Sequence, residues 1–236
     1  MLLAGVVACG DDPSAGAGGD TGAADAGLAD GYPTTDEGLD PPLPCDPAGL
    51  PYATEVVRFS PGERAGFGQD GLPDVVLGPP GGGVSGVGSL DVLSLGIEGE
   101  IVLGFDPPIV NGPGADFVVW ENPFFIGGDP TLPFTELAEV EVSDDGDTWF
   151  AFSCDPASPS APGQWLGCAG WAPRVRFDAC ALVPIDPSQT GGDPFDLADV
   201  GLERARFVLI RDLGTNGDSG TAGFDLDAVG VVHPER

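Results

Sequence analysis

The apolar residues of this chain occur in short runs that Gly, Pro and Asp interrupt, and no longer stretch follows the spacing of an α-helix. About ten such runs at this spacing are typical of an antiparallel β-sandwich. The 39 Gly and 25 Pro among 236 residues also argue against a helical bundle. The sequence therefore predicts an all-β fold, an antiparallel β-sandwich with almost no helix, over residues 47–236.

The strands are expected where the runs alternate or are continuously apolar. They are Thr54–Phe59, Asp74–Leu77, Leu90–Leu95, Ile101–Phe105, Asp116–Trp120, Leu137–Ser143, Thr148–Phe152, Arg174–Phe177, Ala205–Arg211 and Phe224–Val232. Asp145-Gly146 supplies the turn of a hairpin between two of these runs. Continuous runs such as Phe117–Trp120 predict central strands that are covered on both faces.

The charge of the chain is strongly negative. It has 38 acidic residues against 8 Arg and no Lys, a formal net charge of −30. Such a surface repels nucleic acid and acidic lipid headgroups. The absence of Lys excludes a lysine Schiff base and a Walker-type phosphate loop. A single histidine, His233, disfavours a Ser-His-Asp triad and a multi-histidine metal site.

The chain begins with a short apolar run that ends just before Cys9. Residues 1–8 resemble the end of a bacterial lipoprotein signal peptide, which implies cleavage before Cys9 and attachment of lipid to it. The alternative is a frayed apolar terminus with a free thiol. Residues 9–46 are rich in Gly, Ala and Asp and cannot bury enough apolar surface to fold, so we expect a disordered tether. This organisation predicts a lipid-anchored protein of the cell envelope, outside the cytoplasm, at the outer membrane or cell surface.

The cysteine count fits export. Assigning Cys9 to lipid leaves four cysteines, enough for two disulfides outside the reducing cytosol. Three pairings are possible. Proximity in sequence favours Cys154 with Cys168, which leaves Cys45 with Cys180. Four free thiols are the alternative.

Several segments resemble galactose-binding-like jelly rolls, including discoidin-type and carbohydrate-binding modules. The resemblance rests on the hairpin Val140–Trp149 and on two closing runs, Ala205–Arg211 and Gly223–Val229. Gly88–Gly96 and Gly112–Asn122 resemble a group of bacterial cell-surface proteins. The resemblance implies a jelly-roll fold and, through the carbohydrate-binding modules, a calcium ligand at Asp227.

Two acidic segments near the C-terminal end are candidates for a structural Ca²⁺ site. Calcium binds carboxylate and carbonyl oxygens and does not require a strict geometry. Both segments lie among glycines, and such Gly-rich loops can supply the carbonyl oxygens. The candidate ligands are Asp193, Asp196, Asp199, Asp225 and Asp227. Alternatively, these side chains cap turns or pair with Arg206 and Arg211.

Two tryptophans, Trp165 and Trp171, fall in a Pro/Gly-rich segment between cysteines. A loop tryptophan held by a disulfide can serve as a platform on which a sugar stacks, or as a plug over one end of the sandwich. The carboxylates Glu121 and Glu136 flank a loop and could serve a glycosidase.

Together these features predict an exported, lipid-anchored and non-catalytic surface-binding or interaction module. The expected partners are the lipid bilayer through Cys9, and a glycan or another envelope protein. A structural envelope component without a small ligand is the first alternative. A carbohydrate-active hydrolase is the second.

Overall fold

A computed structural model describes residues 51–81, 90–122, 124–125, 133–172, 185–215 and 223–236 of the chain. Within these residues there are twelve strands and one helix of four residues. The strands are β1 Glu55–Ser60, β2 Leu93–Ser94, β3 Glu100–Val110, β4 Phe117–Glu121, β5 Phe124–Phe125, β6 Pro133–Phe134, β7 Ala138–Ser143, β8 Phe150–Ala151, β9 Cys168–Ala169, β10 Asp193–Phe195, β11 Arg204–Asp212 and β12 Asp225–Val231. The helix is α1, Pro187–Thr190, and single 3₁₀ turns cover Gln69–Gly71, Asp74–Val76 and Leu197–Val200.

Two antiparallel sheets form the sandwich. The larger has the order β1-β3-β11-β7-β8, with β9 also pairing with β7, and the smaller has the order β10-β4-β12-β2. Strands β5 and β6 form a separate pair. The chain alternates between the two large sheets, from β3 to β4, back to β7, across to β10, and on through β11 and β12. This is the expected all-β antiparallel sandwich, with the crossing pattern of a jelly roll.

The core lies between the facing sheets because alternate residues of each strand point inward. Val140 and Val142 of β7 are fully buried, whereas Glu139 and Glu141, which alternate with them, lie on the outer face. There Arg211 of β11 pairs with both glutamates, at 3.2 and 3.3 Å. Strand β7 thus has one face in the core and one face toward solvent.

Strand β4 is buried on both faces, as its continuous apolar run predicted. Phe117 and Val119 belong to the main core between the sheets. Val118 and Trp120 point to the opposite face, where they pack in a second cluster with Tyr52, Ile185 and Ala228. We call this second cluster the outer cluster. It covers the outside of the smaller sheet.

The predicted hairpin joins β7 to β8. Oδ1 of Asp145 accepts the backbone N–H groups of Asp147 and Thr148, at 2.8 and 2.7 Å. Gly146 has a φ of 79°, a conformation that costs other residues energy, and its N–H donates to Oγ of Ser143 at 2.9 Å. Side chains within the turn thus accept the hydrogen bonds of its backbone N–H groups.

Some elements differ from the expectation. Asp74–Leu77 was predicted as a strand, but Asp74–Val76 is a 3₁₀ turn whose Val76 packs into the main core. Pro73, with φ −83° and ψ −12°, already has helical geometry, and so short an apolar run does not distinguish a strand from a turn. Strands β5, β6, β9 and β10 were not predicted, and Arg174–Phe177 lies outside the described residues. No helix in the described part of the chain is long and apolar enough to cross a membrane.

Candidate functional site

The disulfide Cys154–Cys168 closes a loop that follows β8 and leads into β9. This confirms the pairing that sequence proximity favoured. Backbone hydrogen bonds also hold the loop internally, between Ser160 and Gln164 at 2.8 Å and between Gln164 and Ala161 at 2.9 Å. We call residues Cys154–Cys168 the disulfide loop. Cys45 and Cys180 lie outside the described residues, so their pairing stays a prediction, as does the role of Cys9.

The disulfide loop carries two large apolar side chains near its C-terminal end. Trp165 is half-buried, and its indole N–H donates to the carbonyl oxygen of Pro156 at 3.1 Å. Leu166 is 58% exposed, one of the largest apolar exposures among the described residues. Trp171, just beyond the loop, is also half-buried, and its N–H donates to the carbonyl of Cys168 at 3.0 Å. Both indoles are therefore fixed by their polar ends and retain partly accessible rings.

Three of the predicted calcium ligands follow one another along the chain but face different partners. The carboxylate of Asp193, at the start of β10, is buried and accepts the N–H groups of Gly170 and Ala172 at 2.7 and 3.0 Å. Asp196 caps the 3₁₀ turn that follows, accepting from the N–H of Ala198 at 2.9 Å. Asp199 is exposed within that turn. The capping alternative is confirmed for Asp196.

The other two predicted ligands lie on β12. Asp227 is buried, and its Oδ1 accepts the N–H of Gly81 at 2.7 Å. Asp225 is half-buried at the first position of the strand. No three Asp, Glu, His or Cys side chains in the described segments are placed to hold a metal ion together. Calcium binding therefore stays a prediction.

The suggested pairing of these aspartates with arginine is wrong for the described residues. Arg206 lies 3.8 Å from Asp144 of the hairpin turn instead. Arg211 is held by three glutamates on the outer face of the larger sheet, including Glu100 at 3.1 Å.

Four carboxyl groups gather where β4, β10 and β12 meet the segment that leads into β7. They belong to Glu121 at the end of β4, Glu136 before β7, Asp193 and Asp225, and we call them the buried acid group. Glu121 and Glu136 are each only 4% exposed. In the sequence Glu121 and Glu136 flank a loop, and nothing in the residues around them predicts that they are buried.

Electrostatics favour the protonated form in the buried acid group. Burial, and then the negative charges of Asp225, Glu136 and Asp193, raise the pKa of Glu121 well above its ordinary value. Among the described residues, none forms a hydrogen bond to Oε2 of Glu121. Burial also raises the pKa of Asp193 to about 8, against the opposing effect of its backbone N–H donors, and raises that of Asp225. A buried carboxyl without a cationic partner is most stable when it keeps its proton.

A second polar centre lies at the opposite end of β4 and involves the only histidine. Asp116 is fully buried, and its Oδ1 accepts the N–H of Gly112 at 2.7 Å while Oδ2 accepts that of Leu197 at 2.7 Å. Nδ1 of His233 lies 2.8 Å from the same Oδ1. Nothing in the sequence pairs these two residues, because 117 positions separate them.

Comparison with protein-family models and with curated proteins finds no match for this chain. The class that the structure defines is an antiparallel β-sandwich with a disulfide-closed loop. Membership of the galactose-binding-like jelly rolls stays a prediction from the short motifs.

Proposed function

We propose that the protein is an exported, lipid-anchored and non-catalytic surface-binding module, and that the disulfide loop is its contact surface. The observation that carries this proposal is the Cys154–Cys168 bond, which ties down a loop with an accessible tryptophan and leucine. A disulfide is typical of a protein that folds outside the reducing cytosol. It also lowers the entropy that the loop loses when it binds a partner.

The chemistry of the loop favours a glycan as the ligand. A tryptophan ring offers a rigid apolar area against which the C–H face of a sugar can stack. The indole of Trp165 is already fixed by its bond to Pro156, so little side-chain freedom is lost on binding. Leu166 extends the apolar surface beside it. The strongly negative net charge favours neutral sugars over acidic ones.

Anchoring and calcium complete the proposal. The lipoprotein-like sequence before Cys9 supports lipid attachment, with the acidic segment up to residue 46 as a spacer. Structural calcium would offset the self-repulsion of a chain with a net charge of −30.

A glycan array probed with the full chain tests the binding function. We expect binding to neutral glycans that Trp165→Ala weakens at least about tenfold, as for an aromatic hot spot. Trp149→Ala is the matched control, since this half-buried indole also bonds to a backbone carbonyl but lies in the β7–β8 turn.

Three outcomes would contradict the proposal. Absence of glycan binding by the wild type would favour a structural envelope component. Equal loss in Trp165→Ala and Trp149→Ala would move the contact surface away from the disulfide loop. Hydrolysis of a bound glycan that Glu121→Gln abolishes would favour the hydrolase alternative.

A further inference from the structure

A cavity of about 580 Å³ opens beside the Asp116–His233 pair. Its walls are mostly apolar and include Val110, Ile185, Val231 and Val232, with His233 among them. A volume of this size suits a small organic molecule. The cavity is remote in sequence from the disulfide loop, and no residue of that loop lines it.

The apolar wall is supported from behind by the outer cluster. Ile185 lines the cavity and is itself a member of that cluster, and Val232 packs against the same cluster. The ring centroids of Tyr52 and Trp120, in the centre of the cluster, are 6.2 Å apart. Because these side chains are buried and interlocked, the wall is formed before any ligand enters.

The orientation of His233 follows from the contacts of Asp116. Both carboxyl oxygens of Asp116 accept backbone N–H groups, so this carboxyl acts as an acceptor. The hydrogen between the two side chains is therefore on Nδ1 of His233, which donates at 2.8 Å. In the neutral ring, Nε2 is then the nitrogen that accepts. No hydrogen bond to Nε2 is formed by the described residues.

The charged side chains that line the cavity do not favour an anionic ligand. Glu235 and Arg236 both line it and carry opposite charges. Glu235 is in turn drawn toward Arg204, at 3.6 Å. An anionic ligand would also approach a chain of net charge −30 and the buried carboxylate of Asp116. A neutral ligand avoids both repulsions.

We propose that this cavity binds a neutral, mostly apolar molecule with one hydroxyl group, and that the hydroxyl donates its hydrogen to Nε2 of His233. The apolar walls supply the affinity through burial of hydrocarbon. The acceptor Nε2, held in place by the bond of Nδ1 to Asp116, selects a ligand with a donor, since a buried polar atom is stabilised when it is paired. Asp116 is a positioning residue that holds the ring in this orientation.

Calorimetric titration of the full chain with three probes of one shape tests the proposal. The probes are 1-naphthol, naphthalene without the hydroxyl, and the 1-naphthoate anion. We expect 1-naphthol to bind several-fold more tightly than naphthalene, from the net value of about one hydrogen bond, and 1-naphthoate to bind most weakly.

The variant His233→Asn removes the proposed contact of Nε2 with the ligand and keeps a hydrogen bond to Asp116. The amide N–H₂ of Asn can occupy the position of Nδ1 and still donate to Asp116, whereas Nε2 is removed. We expect His233→Asn to bind 1-naphthol about 3- to 10-fold more weakly and naphthalene unchanged. A melting curve checks that the variant folds, and shifts of the Val231 and Val232 methyl signals on 1-naphthol addition provide a second measurement on the wild type.

Each remaining outcome overturns the proposal. Absence of 1-naphthol binding to the wild type, or of shifts at Val231 and Val232, removes the site. Tighter binding of 1-naphthoate assigns the cavity to anions. Equal affinities of 1-naphthol and naphthalene, with no effect of a folded His233→Asn, remove the role of His233. These outcomes leave the function proposed for the disulfide loop untouched.

Discussion

Glu121→Gln should make the protein more stable as the pH rises, relative to the wild type. The side chain of Glu121 is 4% exposed, and its Oε2 accepts no hydrogen bond from the part of the chain that the structure describes. Gln has almost the same shape and keeps one oxygen to accept the N–H of Asn122, which bonds to Glu121 in the wild type. It carries no charge at any pH. The substitution therefore isolates the energetic effect of one titrating proton.

Linkage fixes the sign and the size of this effect. The pKa of Glu121 is raised in the folded protein above its ordinary value of 4.5. Between these two pKa values the folded state holds a proton that the unfolded state has released. The stability that Glu121 contributes is thus fully present below about pH 4.5 and is lost as the pH rises toward the raised pKa. The loss is about 1.4 kcal/mol for each pH unit.

Urea denaturation at half-unit steps from pH 4.5 to 8 measures the effect. We expect the free energies of unfolding of the wild type and of Glu121→Gln to be closest near pH 4.5. The difference should then grow in favour of Glu121→Gln by about 1.4 kcal/mol per pH unit while the folded carboxyl keeps its proton. Glu203→Gln, the same change at an exposed position before β11, is the control for loss of one negative charge.

A difference between Glu121→Gln and the wild type that stays flat or falls with rising pH would refute this reasoning. Glu121 would then be ionised in the folded protein. A counter-charge in the part of the chain that the structure does not describe, or a bound cation, would have to stabilise it.

Three further predictions concern the disulfide, the anchor and calcium. Replacing Cys154 and Cys168 together by Ala should lower the free energy of unfolding by about 3 kcal/mol in a urea titration, because the bond closes a loop with a sequence separation of 14; an unchanged midpoint would contradict this. Cys9→Ser should move the protein from the membrane fraction to the soluble fraction, and unchanged fractionation would argue against lipid attachment. Chelation of calcium at fixed ionic strength should lower the melting temperature, and Asp227→Asn should abolish most of the shift; a wild-type midpoint that does not move would exclude structural calcium.

The main strands could be predicted because their patterns are local. Strand β7 alternates valine with glutamate, and Asp145-Gly146 fixes the turn after it, so this hairpin is visible in the sequence. Strand β10 was missed because its three residues include Pro194 and show no alternation. The buried Asp193 before that proline looks like any surface acid, because sequence patterns do not show which carboxyls the fold encloses.

The candidate sites show the same contrast. The Cys154–Cys168 bond could be favoured because its partners are near neighbours in the chain. The Asp116–His233 pair and the buried acid group could not be predicted from the sequence. Their members come together only when strands from distant parts of the chain align. Of the aspartates predicted as calcium ligands, Asp193, Asp196 and Asp227 accept different backbone N–H groups. Asp199 is exposed, and Asp225 is half-buried. In this sandwich, acidic residues that are near one another in the sequence are thus not necessarily near one another in the fold.

The central position of β11 has a consequence for the order in which the protein can fold. This strand, Arg204–Asp212, fills the gap between β3 and β7 in the larger sheet. Until it arrives, β1–β3 and β7–β8 are two separate ribbons, each with an unpaired edge and an exposed apolar face. Closing such sequence-distant pairs is slow, and a chain with open strand edges is prone to aggregate meanwhile. The larger sheet therefore cannot be completed until residue 212 has left the ribosome, so late synthesis of β11 sets the earliest moment at which the sandwich can form.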